Sequence, residues 1–150
     1  VLRHDETDTC GCGKKGCVEQ YCSATGIVKL AARKLAAAEE ASSLRALDVI
    51  TCKDIFDAGK AGDKVAQEVL DQYYAMMGEF LGTLCSVVNP EAVVIGGGVS
   101  KAGQVLIDGF TPYFRKFVFH AASNVSFTLA SLGNDAGAYG AFKLAIDAFA

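Results

Sequence analysis

The sequence predicts an α/β protein, helix-rich with a few short strands, and three observations carry that prediction. Residues 63–88 form the longest stretch of helical apolar spacing. A β-branched run at 92–95 stops at three glycines, after which a helical pattern resumes. A second short strand pattern at 126–129 precedes a closing helical stretch. With 150 residues, 51% of them hydrophobic, the chain can bury one core of ordinary domain size.

In chain order, residues 18–23 and 24–40 place Ile27, Leu30, Ala31 and Leu35 at helical spacing, and Gly26 predicts a hinge there. Thr51 is positioned to cap a helix over 52–58, with Asp54 in the first turn where the helix dipole favours an acid. Gly59 and Gly62 bracket the break that follows. The helix over 63–88 has a wide apolar face that includes Val65, Val69, Tyr73, Met76, Met77 and Leu81; Asn89-Pro90 ends it, and it is the predicted spine. The helical pattern of 99–117 is expected to break or bend at Pro112. The strands at 92–95 and 126–129 are too few for a sheet of their own. Asn134 and Asp135 can cap a closing amphipathic helix that runs to Phe149.

Charge and patterning exclude several functions. A net charge of -3 gives no general field to draw nucleic acid phosphates. The apolar runs at 81–90 and 92–99 are interrupted and far too short to cross a bilayer. The N-terminal residues have no basic region followed by an apolar core and no initiator Met, so they read as a cut inside a longer protein and not as a signal peptide. Of six cysteines, three crowd into one glycine-rich loop while Cys22, Cys52 and Cys85 sit singly in helical patterns, which fits a reducing, cytoplasmic setting. The sequon at Asn124 is read as chance.

Two clusters carry chemistry. Cys10, Cys12 and Cys17 can converge three soft sulfur ligands on one zinc ion, because Gly11, Gly13 and Gly16 permit tight turns. Structural zinc is favoured over a disulfide with a spare thiol or three free thiols. His4 is the nearby imidazole for a fourth ligand, with a solvated histidine as the other reading. Glu19, two residues past Cys17, is either a carboxylate aimed at adjacent hydroxyls or an acid placed by the helix dipole. Gly96, Gly97 and Gly98 let a flat ligand or a backbone approach a strand end, or simply make a strand-to-helix turn. His120 is expected to be a partly buried packing or hydrogen-bonding residue, not a ligand.

The pattern C-G-C-G-x-x-G-C-x-E-x-Y, from Cys10 through Tyr21, resembles the cysteine signature of the ROK (repressor, open reading frame, kinase) family. The run V-N-P-E-x-V-V-I-G-G-G-V-S, from Val88 to Ser100, looks like the adenosine motif of its kinases, and L-G-N-D-A-G-A-Y-G-A, from Leu132 to Ala141, resembles their closing element. The resemblance implies the C-terminal part of an actin-like, ribonuclease H-type kinase fold. It divides the chain into 1–23 (cysteine loop and sugar-contact Glu), 24–88 (helical) and 89–150 (adenosine side). Implied with it are a glucokinase-like transfer of the ATP γ-phosphate to a sugar 6-hydroxyl, Mg2+, and structural Zn2+ on Cys10, Cys12 and Cys17. Glu19 would meet the hexose, glucose first among the candidates, and Gly96, Gly97 and Gly98 would meet the nucleotide. A homodimer is expected, with no membrane contact and no nucleic acid bound through this segment.

In the family the fourth zinc ligand is a His in an E-x-G-H motif, which by spacing falls just before Val1. The chain also has no D-x-G-x-T loop, no N-D-x-N segment with the catalytic Asp and no G-T-G-x-G loop. No catalytic residue is therefore expected within these 150 residues, which are expected not to phosphorylate sugar alone. The alternatives are the sugar-sensing half of a ROK repressor and an assembly module built on the helix around Met76 and Met77.

Overall fold

The computed structural model describes residues 3–37 and 39–149. Helix α1 (Glu19–Cys22) and helix α2 (Ala24–Ala37) follow the cysteine loop. The break between them is at Ser23, not at the expected Gly26. Ser23 is extended (φ -87°, ψ 166°) and its hydroxyl accepts the Gly26 N–H at 3.0 Å, so it caps α2. Gly26 lies inside α2, where the α1 backbone passes so closely that a Cβ would sit 2.7 Å from the Gln20 carbonyl oxygen. Helix α2 ends earlier than expected; the Arg45 guanidinium donates to the Leu35 carbonyl at 3.0 Å, taking up one carbonyl of the last turn.

Helix α3 (Cys52–Lys60) begins with a capping box in which the Thr51 hydroxyl accepts the Asp54 N–H and the Asp54 carboxylate accepts the Thr51 N–H. Helix α4 (Lys64–Val88) starts at Asp63, which accepts the Ala66 N–H on one oxygen and the Ser42 and Ser43 groups on the other. The turn so gathered is a short 3-10 helix, Ser43–Ala46, that buries Leu44; no sequence pattern announced it. Asn89, in the left-handed region at φ 50°, ends α4.

Strands β1 (Ala92–Ile95) and β2 (Ser126–Leu129) pair in parallel, with Ala92 opposite Ser126 and Ile95 opposite Leu129. Two strands thus do make a small sheet. The crossover between them is a 3-10 turn, Gly98–Ala102, and helix α5 (Gln104–Phe117). Helix α5 starts later than the sequence suggested and runs through Pro112 as one element.

Helix α4 is the spine, packed on α2, α3 and α5. Tyr73, Phe110, Phe114, Leu106 and Ile55 have almost no exposed surface. Burying one such side chain contributes roughly 1.5–3 kcal/mol. Phe127 on β2 meets Phe110 and Phe114 edge-on, at 5.0 Å and 4.8 Å between ring centres. Met76 is buried and Met77 packs on the same core, so the helix around them is core.

Helix α6 (Ala136–Phe149) has no buried residue, and Tyr139, Phe142, Leu144, Ile146 and Phe149 all lie open. The side chain of Asn134, expected to cap it, lies outside the described residues. Among the described residues no helix is long and apolar enough to cross a membrane.

Candidate functional site

The cysteine loop is closed by its own backbone. Thr9 and Lys15 form an antiparallel bridge, Cys10 N–H donates to the Lys14 carbonyl at 2.7 Å, and Gly13 N–H to the Cys10 carbonyl at 2.8 Å. Gly13 and Gly16 take positive φ (83° and 70°), as the turns require, whereas Gly11 does not. The Cys10, Cys12 and Cys17 sulfurs all lie within 4.8 Å of one another, and Cys12 and Cys17 are 3.5 Å apart. None of the six cysteines is in a disulfide.

Three convergent thiols on a closed loop fit a thiophilic metal, and Cys10, Cys12 and Cys17 are the residues that would hold it. His4 is exposed and lies outside this three-sulfur cluster. The Lys14 backbone N–H, followed by the neighbouring thiols, holds the Cys12 thiol below its ordinary value. For Cys10 the Cys12 backbone N–H works in the same direction, but the Glu19 carboxylate, burial and the other thiols push it up to about 11. By contrast Cys22 is pushed up to about 12 by burial, and Cys52 and Cys85 are raised by burial too.

Glu19 stands in the first turn of α1, exposed, where its Oε2 accepts from the Cys10 thiol at 3.2 Å. Below it a polar network that no sequence motif announced anchors the loop. Arg33 on α2 donates to both Glu6 oxygens, at 2.9 and 3.0 Å, and to Asp8 at 2.7 Å, while the Tyr21 hydroxyl donates to Glu6. The Arg33 bonds, with that of Tyr21, hold Glu6 down at about 2. Arg3 pairs with Glu79, tying the segment before the loop to α4.

Beyond β1, the glycines are exposed. Gly97 has φ 78° and ψ -166°, a conformation essentially confined to glycine. The Ser100 hydroxyl donates to the Gly97 carbonyl at 2.7 Å and fixes the turn. Between this turn and α3 lies a cavity of about 270 Å³ with Phe56, Val99 and Ala102 in its lining and Lys53, Lys60 and Lys101 beside them. The α3 contribution was invisible in the sequence. A Cβ at Gly98 would lie 3.6 Å from that of Ala24, the first residue of α2, so the glycine turn meets the element that directly follows α1. The glycine block thus lies against the residue three positions past the cysteine block. His120 is exposed, not partly buried as expected, with its ring against Phe119 at 4.7 Å.

The ROK family model matches residues 1–148. The chain is 41% identical over 137 residues to a glucokinase of Halalkalibacterium halodurans, an alignment covering 87% of this chain and 41% of that protein. The repressor Mlc of Escherichia coli is 28% identical over 114 residues, 76% of this chain and 28% of the repressor. Among solved structures, a ROK family glucokinase from Streptomyces griseus in complex with glucose and AMPPNP superposes with a TM-score of 0.78 at 32% identity, over 90% of this chain and 46% of that one. The chain thus spans less than half the length of these relatives. The expected α/β fold, part of an actin-like kinase architecture, is the one found.

Proposed function

The chain belongs to the ROK family, and from that premise we propose that it is the C-terminal part of an ATP-dependent hexose kinase of the glucokinase type. The observation that carries this reading is the contact at the start of α2, where Ala24, a few residues past Glu19 and the cysteine loop, lies against the glycine turn that borders the cavity. A sugar-contacting carboxylate and a nucleotide cleft that both border the start of α2 suit direct phosphoryl transfer, since positioning dominates that reaction.

In this proposal Glu19 accepts hydrogen bonds from two neighbouring sugar hydroxyls, and the cysteine loop fixes where its carboxylate points. Cys10, Cys12 and Cys17 hold zinc as a structural ion. Gly96, Gly97 and Gly98 let the nucleoside approach the backbone, and the apolar lining beside α3 takes its flat base while the lysines lie near its charged end. ATP with Mg2+ supplies the phosphoryl group and its charge neutralisation. The general base belongs to residues other than these, in a cytoplasmic homodimer. The match to Mlc sustains the sugar-sensing half of a repressor as the second reading; the glucokinase match, higher in identity and coverage, favours the kinase.

The test is a coupled assay of glucose phosphorylation by the full-length protein that contains this segment, with Glu19→Gln beside it. A KM for glucose raised about tenfold or more supports the sugar contact. An unchanged KM refutes it, and a full-length protein that binds operator DNA and phosphorylates no hexose moves the assignment to the repressor. The 150 residues alone are expected to form no glucose 6-phosphate above a contaminant control.

A further inference from the structure

Three cysteines converge, but the side chain that brings the two sides of their loop together is Gln20. It is a polar residue only 5% exposed. Its Nε2 donates to the Asp8 carbonyl at 3.0 Å, and its Oε1 accepts from the Cys17 N–H at 3.0 Å. Asp8 enters the loop two residues before Cys10, and Cys17 leaves it. One planar amide therefore spans the loop mouth with both its ends committed to backbone. Gln20 is also flanked in α1 by Glu19 and by Tyr21, whose hydroxyl is bonded to the Glu6 that Arg33 clamps.

We propose that Gln20 is a positioning residue: it sets the spacing between the arm carrying Cys10 and Cys12 and the arm carrying Cys17, and with it the direction of the adjacent Glu19. The inference rests on the metal reading above for its ligand, and on the geometry alone for the bracing. An amide suits the place because one arm offers an acceptor and the other a donor. A glutamate there keeps the bond from Cys17 N–H but sets a carboxylate oxygen against the Asp8 carbonyl. An alanine keeps neither, leaving a buried N–H and C=O unpaired.

The experiment compares the chain with its Gln20→Ala and Gln20→Glu variants. Gln67→Ala serves as the control, since it removes a similar side-chain bond, to the Gly59 carbonyl at 3.1 Å, at a site remote from the loop. The first readout is hydrogen exchange at the Cys17 amide with no metal added. It should be fastest in Gln20→Ala, intermediate in Gln20→Glu and unchanged in Gln67→Ala. The second is Zn2+ affinity by competition with a chromophoric chelator, together with the absorption spectrum of bound Co2+. Gln20→Ala should weaken Zn2+ about 10- to 100-fold, the range typical of groups that orient metal ligands, and should shift the Co2+ bands.

Unchanged Cys17 exchange in Gln20→Ala, or a loss of Zn2+ affinity no larger than that of Gln67→Ala, overturns the proposal. If Gln20→Ala does not fold, Gln20→Glu decides it by the same two readouts. If the unaltered chain takes up neither Zn2+ nor Co2+, the metal reading fails, and the bracing role of Gln20 is judged on the Cys17 amide alone.

Discussion

Replacing Gly78 by alanine should destabilise the chain although it places the best helix former in the middle of a helix. In α4 the exchange brings a propensity gain of about 1 kcal/mol. Against it, the new Cβ would lie 2.5 Å from the Tyr113 Cβ, 2.6 Å from the Phe114 nitrogen and 2.9 Å from the Tyr113 carbonyl carbon. Those atoms belong to the backbone of α5 or sit directly on it, so no rotamer change relieves the contact. Restoring van der Waals distance takes about 1 Å of separation between the helices, along a seam that holds the fully buried Phe110 and Phe114. Overpacking of this kind costs typically 1–3 kcal/mol and occasionally more; taking the upper end and deducting the propensity gain leaves a net loss of about 2 kcal/mol. For a chain of this size that lowers Tm by about 4–8 °C. Gly140→Ala in α6, where nothing lies within 4 Å of the added Cβ, is the reference and should raise Tm by a few degrees through propensity alone. Thermal melts followed by far-ultraviolet circular dichroism measure both. A Gly78→Ala protein as stable as Gly140→Ala would refute the argument that α4 and α5 touch through glycine.

Acid should unfold the chain across a defined window. Glu6 is held at about 2 against an ordinary 4.5; for Asp63, partial burial acts upward but the bonds from Ala66, Ser43 and Ser42 prevail and hold it at about 2. Both are depressed in the folded state, so the stability they contribute is complete above the unfolded values and is lost as pH falls through the window from 4.5 towards 2. Tm should be flat above that window and fall within it, and Glu6→Gln should remove part of the fall; an identical acid profile in Glu6→Gln would count against the Arg33 clamp. Cys12→Ser, at the exposed sulfur of the cluster, should lower bound zinc well below one per chain without unfolding it, measured by elemental analysis after dialysis; equal zinc in both proteins would place the metal elsewhere.

Local chemistry made much of this structure legible. Thr51 with Asp54, Asp63 before the spine, and Asn89-Pro90 after it are boundary signals that act within one turn, and the helices start and stop there. The two strands matched because short runs of strand-favouring residues bounded by turn residues leave few other choices. Gly26 misled because a glycine that breaks a helix and one that lets another backbone approach look the same in one dimension. Pro112 does not end α5, and the buried Phe110 and Phe114 flank it on either side within the same helix. At the site, the cysteines were legible since their spacing is local. Arg33 on Glu6 and Asp8 was not, because the partners are 27 and 25 residues apart. Gln20, between a recognisable Glu19 and Tyr21, carries no sequence mark of its role.

The single run of α4 from Lys64 to Val88 also has a geometrical consequence. One helix contacts α2, α3 and α5, so it acts as a fixed gear between the part of the chain that carries the cysteine loop and the part that carries the glycine turn. A helix advances about 100° per residue. Inserting or deleting one residue within α4 would turn its far end by that angle and take Gly78 and Gly82 away from α5, disengaging one half from the other. Length changes are tolerable only outside the gear, as in the surface stretches beside residues 39–42 and 47–50, where a loop absorbs the extra chain without altering the phase.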